Sequence, residues 1–175
     1  MSSVRHVWIL RHAKAAKDGT EGDDHSRPLT GRGRRQAAQV AALLAERVES
    51  GKAVPDLVVS SSAARALQTA EAAHRALPDT PLEVDRALYR AGPDDVIERL
   101  RLVPEPTVAP MVVGHNPTLH ELALELVGSD DVEGRARLRD GFPTAVVAVV
   151  ACDIARWADL APGTGRLEEL FLPPR

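Results

Sequence analysis

Short apolar runs alternate with helical stretches through most of the chain, and this alternation limits the possible folds more than any other feature of the sequence. Helix signals occur after residue 30, after residue 62, over about 94–102 and after residue 116. The apolar runs predicted as strands are 4–10, 56–60, 82–84, 108–114, 144–151 and 166–172. Strand–helix alternation of this kind is typical of α/β proteins. The sequence therefore predicts a three-layer α/β/α architecture with a mostly parallel central sheet.

Capping signals predict where three of these helices begin. Thr30 is a side-chain cap for a helix with apolar residues at helical spacing, and Ser62 starts the next one. Asn116 followed by Pro117 combines a side-chain cap with a proline at the first helical position. The buried face of the helix after Ser62 is predicted to comprise Leu67, Ala70, His74 and Leu77.

Length and composition predict a single domain over residues 1–175. The chain has 175 residues, and no repeat, low-complexity tract or linker divides it. A net charge of −3 and an aromatic content of 3% argue against a nucleic-acid partner. The apolar run before Arg11 is too short to span a membrane, and the single cysteine, Cys152, fits a reducing compartment such as the cytoplasm. The oligomeric state is left open.

Three polar motifs follow the carboxyl ends of predicted strands. Their chemically active residues are Arg11, His12, Arg65, His115 and Asn116. Ligands of open α/β sheets bind at this edge. Each residue alone is more often a loop or capping residue, but their coincidence at equivalent strand ends favours a shared site. Because the guanidinium fork matches phosphate oxygens, the site is predicted to bind phosphate.

The motifs of other hydrolases and phosphate-binding proteins are absent from this sequence. It contains no G-x-x-x-x-G-K-[ST], no complete dinucleotide-binding glycine motif, no D-x-D after a strand, no H-E-x-x-H and no G-x-S-x-G. Cys152 has no arginine six residues later, which excludes a cysteine-based phosphatase loop. No cluster of ligands indicates a metal, and no cofactor is expected. A histidine nucleophile remains.

Four blocks of sequence strengthen this interpretation. They are Leu10–Ala13, Arg27–Thr30 with Gly33 and Gln36, Ser61–Ala66 with Gln68–Ala70, and Val113–Pro117. In this order and spacing they resemble the histidine phosphatase superfamily, and within it the small SixA-like phosphohistidine phosphatases. The resemblance implies a phosphoglycerate mutase-like fold in which His12 becomes phosphorylated. It also implies that Arg11, Arg65 and His115 complete the phosphate pocket; Arg11, Arg65 and Asn116 are predicted to bind substrate.

Three positions depart from the family pattern. Ala13 and Ser62 stand where the family usually has glycine and proline, and both are small enough to be tolerated unless Ala13 requires a positive φ. Ala87 stands where many members carry a glutamate acid. Asp18 is predicted to bind substrate and to replace this acid, although it also fits a plain loop residue. The candidates for the acid, in order, are Asp18, Asp94 and Asp95.

The missing glutamate bears on the substrate. We expect a neutral His12 to attack phosphorus and water to hydrolyse the resulting phosphohistidine without a metal. An alkoxide leaving group has a conjugate acid of pKa about 15.7 and needs a proton donor, whereas imidazole has one of about 6.5. The sequence therefore predicts a phosphatase for phosphohistidine in a protein. The alternatives are a phosphatase for sugar or nucleotide phosphates, a non-catalytic phosphate-binding module, and a mutase.

Overall fold

The computed structural model describes residues 3–174, in which strands and helices alternate as predicted. The strands are β1 (Val4–Arg11), β2 (Leu57–Ser61), β3 (Leu82–Asp85), β4 (Pro110–Gly114), β5 (Val147–Asp153) and β6 (Gly165–Phe171). The helices are α1 (Gly31–Glu49), α2 (Ala64–His74), α3 (Pro93–Arg101), α4 (Thr118–Leu126) and α5 (Val132–Arg139), with two short 3₁₀ helices at Arg86–Tyr89 and Trp157–Asp159. No helix within residues 3–174 is long and apolar enough to cross a membrane. The single domain over 1–175 stays a prediction, and Met1, Ser2 and Arg175 lie outside the described residues.

All six strands lie in one sheet, in the order β3-β2-β4-β1-β5-β6. Strands β3, β2, β4 and β1 are mutually parallel, whereas β5 runs antiparallel to its neighbours β1 and β6. The mostly parallel sheet is therefore confirmed. At its carboxyl edge, Arg11 pairs with Gly114. His12 and His115 are the next residues of these two neighbouring strands, so they leave the sheet side by side.

The strands bury apolar side chains on both faces of the sheet, because successive side chains of a strand point to opposite faces. In β1, Val7 and Ile9 belong to one apolar cluster, and Trp8 and Leu10 belong to the other. Helices α3, α4 and α5 contribute to the first cluster, and α1 and α2 contribute to the second. The predicted three-layer α/β/α architecture is confirmed.

Helix α2 begins later than predicted and buries a different face. Ala63 is its N-cap without a side-chain cap, and the Ser62 hydroxyl instead contacts a histidine of the loop before α1. The buried residues of α2 are Arg65, Ala66, Thr69, Ala70, Ala72 and Ala73. Leu67 and His74 are only partly buried, and Leu77 is buried beyond the end of the helix. The physical reason is close packing: small side chains let α2 lie directly against the sheet and α1.

Two further predictions need correction. Asn116 does not cap α4; its Nδ2 donates to the carbonyl of Phe142 at 2.8 Å. Helix α5 was not predicted, because Gly134 and Leu138 are its only buried residues and give no apolar period. It is instead started by the Asp131 side chain, which accepts a hydrogen bond from the backbone of Gly134.

Candidate active site

His12 lies at the centre of the carboxyl edge of the sheet. Its backbone N–H donates to Gly114 O at 3.0 Å, and the residue is 8% exposed. Its ring centroid is 5.3 Å from that of His115, with the two planes tilted by 55°. Nδ1 of His12 lies 2.7 Å from Ala13 O. Because a carbonyl oxygen only accepts, Nδ1 carries the ring hydrogen and Nε2 keeps a lone pair.

The surroundings of His12 keep its ring neutral. The pKa of His12 is lowered to about 4, mainly by burial and also by the positive charges of Arg65, Arg11 and Arg27, while the Ala13 hydrogen bond acts in the opposite direction. At neutral pH the ring is therefore uncharged, with its hydrogen on Nδ1 and a lone pair on Nε2. This is the state that a histidine nucleophile requires.

His115 is the second buried imidazole of the site. Its Nε2 lies 2.8 Å from Ser61 Oγ, and its Nδ1 is buried without a hydrogen-bond partner among residues 3–174. The pKa of His115 is lowered to about 3, mainly by burial and also by Arg65 and His12. If the Ser61 hydroxyl donates to Nε2, the neutral ring carries its hydrogen at Nδ1 and can offer it to a bound anion.

Arg65 is held by a carboxylate that the sequence did not single out. Its Nη1 donates to Asp24 O at 2.9 Å and its Nη2 donates to Asp24 Oδ2 at 3.1 Å. Asp24 also accepts from Arg27 Nη1 at 2.7 Å and from the Tyr89 hydroxyl at 2.6 Å. The Tyr89 hydrogen bond and the two arginines lower the pKa of Asp24 to about 2. The carboxylate is therefore ionised at neutral pH and orients the guanidinium of Arg65.

The carboxylates proposed from the sequence lie elsewhere. Asp18 is exposed in the loop, and the carboxylate that contacts Arg65 is Asp24. Asp95 accepts the Gly92 N–H at the start of α3, and Asp94 is exposed in the same turn. Those two residues therefore fit the cap and surface roles. The role of Asp18 stays a prediction that no contact supports.

Arg11 and Asn116 form the other wall of the site. Arg11 Nη1 donates to Phe142 O at 2.9 Å, and Asn116 Nδ2 donates to the same carbonyl at 2.8 Å. Arg11 Nε and Asn116 Oδ1 are buried without a hydrogen-bond partner among residues 3–174. Buried polar atoms normally find a partner, so these two atoms are available for a ligand or water. Burial also lowers the pKa of Arg11.

An aromatic rim borders the imidazoles. Tyr89 lies edge-on to His115 with ring centroids 5.7 Å apart, and His25 lies edge-on to Tyr89 at 4.8 Å. These two residues and Asp24 are not among those predicted for the site from the sequence. A local signal was present, because Asp24 and His25 are separated from the Arg27–Thr30 block only by Ser26. Nothing in the sequence marked Tyr89, which reaches the site through the 3₁₀ helix after β3.

The five side chains predicted for the phosphate pocket share this edge of the sheet: Arg11, His12, Arg65, His115 and Asn116. Ala13 causes no backbone strain, because the non-glycine residues with positive φ in 3–174 are Asp79 and Ala145. Residues 3–174 contain no group of three or more histidine, cysteine, aspartate or glutamate side chains arranged to hold a metal ion. Chemically, the arrangement pairs a neutral imidazole with several fixed positive charges, which suits transfer of a phosphoryl group.

Comparison with known proteins agrees with this chemistry. Residues 7–89 match the histidine phosphatase superfamily (branch 1). An uncharacterised protein of Mycobacterium tuberculosis is 36% identical over 167 residues, which are 94% of this chain and 99% of that protein.

Solved structures resemble the chain over nearly its whole length. A protein assigned as the phosphohistidine phosphatase SixA of Agrobacterium tumefaciens is 31% identical with a TM-score of 0.78, covering 97% of this chain and 99% of its own. A protein with the same assignment from Nakamurella multipartitia is 28% identical with a TM-score of 0.84, covering 99% of both chains. A phosphoglycerate mutase from Plasmodium falciparum, 16% identical with a TM-score of 0.61 over 99% of this chain and 96% of its own, shares the fold. The chain therefore belongs to the histidine phosphatase superfamily and is a phosphatase with a phosphoglycerate mutase-like fold.

Proposed function

We propose that the chain removes phosphate from phosphohistidine in a protein substrate by way of a covalent phosphate on His12. The observation that carries the proposal is the state of the His12 ring. It is buried and neutral, with Nδ1 bound to Ala13 O and Nε2 free to attack. The SixA assignment of two similar structures supports the substrate class.

The reaction proceeds in two displacements. Nε2 of His12 bonds to phosphorus as the P–N bond of the substrate breaks, and the substrate imidazole leaves with the electron pair and a proton from solvent. Water then attacks the phosphorus of phosphorylated His12, which releases inorganic phosphate and restores the neutral ring. Arg11 and Arg65 balance the charge of the phosphoryl group in both steps, and His115 donates a hydrogen bond to it.

The protonation states beside His12 favour a P–N bond over a P–O bond. Asp24, with a pKa of about 2, carries no proton at neutral pH, and His115, with a pKa of about 3, is not an imidazolium. Neither group is therefore a ready acid for an alkoxide, whose conjugate acid has a pKa of about 15.7. The substrate imidazole, whose conjugate acid has a pKa of about 6.5, takes its proton from solvent and leaves as the neutral ring, so it needs no acid from the protein.

The first test compares substrates on the purified protein. We expect kcat/KM on a phosphohistidine-containing protein to exceed kcat/KM on sugar and nucleotide phosphates, and rapid acid-free quenching to trap phosphate on His12. The His12→Ala variant should abolish turnover of every substrate, including para-nitrophenyl phosphate, because the nucleophile is missing. A clear preference for sugar phosphates would reject the phosphohistidine substrate. Turnover that survives in His12→Ala would reject the covalent mechanism.

A further inference from the structure

A groove of about 810 Å³ lies next to the candidate active site, and the two share a wall. Arg11 and Asn116, whose side chains both donate to Phe142 O, line the groove as well. The remaining lining comes from the first turns of α1, the end of α5 and the segments 140–144 and 170–174. The volume falls in the range of ligand-binding clefts, roughly 300–1,000 Å³, and far exceeds that of a phosphate group.

The groove is positively charged, although the chain as a whole carries a net charge of −3. Its charged lining residues are the three arginines Arg11, Arg32 and Arg137 and one carboxylate, Asp140. Arg32 and Arg137 are exposed, and neither forms a salt bridge with a residue in 3–174. Most other arginines near the site are engaged: Arg65 and Arg27, for example, both bind Asp24.

The positions of Arg32 and Arg137 indicate which kind of ligand the groove can bind. Arg32 lies in the first turn of α1, which contains no acidic residue, and Arg137 lies in the last turn of α5. The positive N-terminal end of α1 adds to the potential of Arg32. Apolar side chains, among them Phe142, Pro143 and Leu172, line the groove beside polar ones. A complementary ligand therefore carries negative charge and offers some apolar surface.

We propose that this groove binds an acidic segment of the protein substrate, directly beside the phosphohistidine that enters the phosphate pocket. The inference rests on the proposed function and specifies which phosphohistidine proteins are preferred: those with aspartate or glutamate near the modified histidine. Charge complementarity of this kind speeds association and sets the register of the bound chain. Two exposed ion pairs together account for about a tenfold preference at low salt.

The test uses two synthetic phosphohistidine peptides of equal length, one with glutamates flanking the phosphohistidine and one with glutamines in their place. We expect the full-length protein to hydrolyse the glutamate peptide with a kcat/KM about tenfold higher at low salt, a preference that shrinks as salt is added. The double variant Arg32→Glu/Arg137→Glu should lose or reverse the preference. Its activity on para-nitrophenyl phosphate, which has no acidic segment for Arg32 and Arg137 to bind, should stay unchanged.

A matched control separates the groove from general surface charge. Arg35→Glu/Arg139→Glu changes two exposed arginines on the same two helices that do not line the groove, so it should keep the preference. Equal hydrolysis of both peptides by the unmodified protein would overturn the inference and leave the proposed function standing. Hydrolysis of neither peptide, with para-nitrophenyl phosphate still cleaved, would overturn both. A preference for 3-phosphoglycerate over glycerol 3-phosphate that needs Arg32 and Arg137, without any peptide preference, would assign the groove to a small ligand and overturn the inference.

Discussion

At the scale of single residues, the site separates two kinds of titratable group by their surroundings. His12 is buried beside arginines, and both effects lower its pKa, so the ring is neutral. Asp24 is half-exposed but accepts hydrogen bonds from Arg65, Arg27 and Tyr89, which keep it ionised. Nε2 of His12 is thereby free of a proton, while the Asp24 carboxylate holds the guanidinium of Arg65.

The bond between Asp24 and Tyr89 can be observed directly, because Tyr89 is the one tyrosine of the chain. The hydrogen bond to Asp24 raises the pKa of Tyr89, and the negative charge of Asp24 adds to the effect. Asp24→Asn should therefore bring the pKa of Tyr89 down towards its ordinary value of about 10. Ultraviolet absorbance titration between pH 8 and pH 12 measures the change. Asp18→Asn is the control and should leave the titration curve where it was; identical curves for Asp24→Asn and the unmodified protein would contradict the contact.

At the scale of elements, the start of α1 supports the loop that follows His12. Thr30 donates to Lys14 O through its backbone N–H at 2.9 Å, and Gln36 Oε1 accepts from Lys14 N at 2.9 Å. Gly33 lies so close to the loop that an added Cβ would be 2.0 Å from Lys14 O. This contact explains why a glycine stands inside the first turn of a helix, where it is intrinsically unfavourable. It also couples the position of α1 to that of His12.

Replacing this glycine should therefore damage both stability and activity. Gly33→Ala would force the new methyl group against the backbone of Lys14, so we expect the free energy of unfolding to fall by about 1–3 kcal/mol and kcat on para-nitrophenyl phosphate to fall with it. Gly31→Ala is a matched control in the same turn, because its Cβ would meet only the ends of the Arg34 and Arg35 side chains, at 3.8 and 3.7 Å. Urea unfolding and steady-state kinetics measure the two effects. Equal behaviour of the two variants would show that the close approach at Gly33 is unimportant.

At the scale of the whole molecule, folding buries two uncharged imidazoles in one place. His12 and His115 have pKa values of about 4 and about 3 in the folded chain, against an ordinary value of about 6.5 in the unfolded chain. Below pH 6.5 the unfolded chain therefore binds more protons than the folded one. The resulting contribution to stability is complete above pH 6.5 and is lost as the pH falls towards 4.

We expect the free energy of unfolding to decrease as the pH falls from 6.5 to 4. The decrease is at most about 2.7 kcal/mol per pH unit, the limit at which unfolding adds one proton to each of the two rings. The double variant His12→Asn/His115→Asn should show a flatter dependence over the same interval. Urea unfolding at a series of pH values makes the comparison. Asp24 does not interfere, because its pKa of about 2 places its contribution below about pH 4. Parallel curves for the variant and the unmodified protein would contradict the burial of neutral histidines.

The order of strands and helices could be predicted from the sequence, because burial of one face or both faces of an element sets the spacing of its apolar residues. The apolar runs around Ile9, Val59 and Val112 required a sheet covered on both faces, and helical spacing supplied the covering layers. The same reasoning placed His12 and His115 at one edge, since both follow buried strands. The starts of α2 and α4 were less predictable, because Ser62 and Asn116 found tertiary partners that replaced their capping roles.

The carboxylate of the site was decided by the tertiary structure alone. Asp18 and Asp24 lie in one polar loop without a period, and the local difference between them is only that Asp24 is closer to the Arg27–Thr30 block. Asp24 reaches Arg65 because the loop is tied to the rest of the chain, with His25 O accepting from Ala64 N at 2.9 Å. The groove likewise depends on the tertiary structure, because it brings Arg32 at the start of α1 and Arg137 at the end of α5 into one lining. Residue types and periods were therefore determined by the sequence, whereas the partners of each charge depended on contacts that form only when the chain folds.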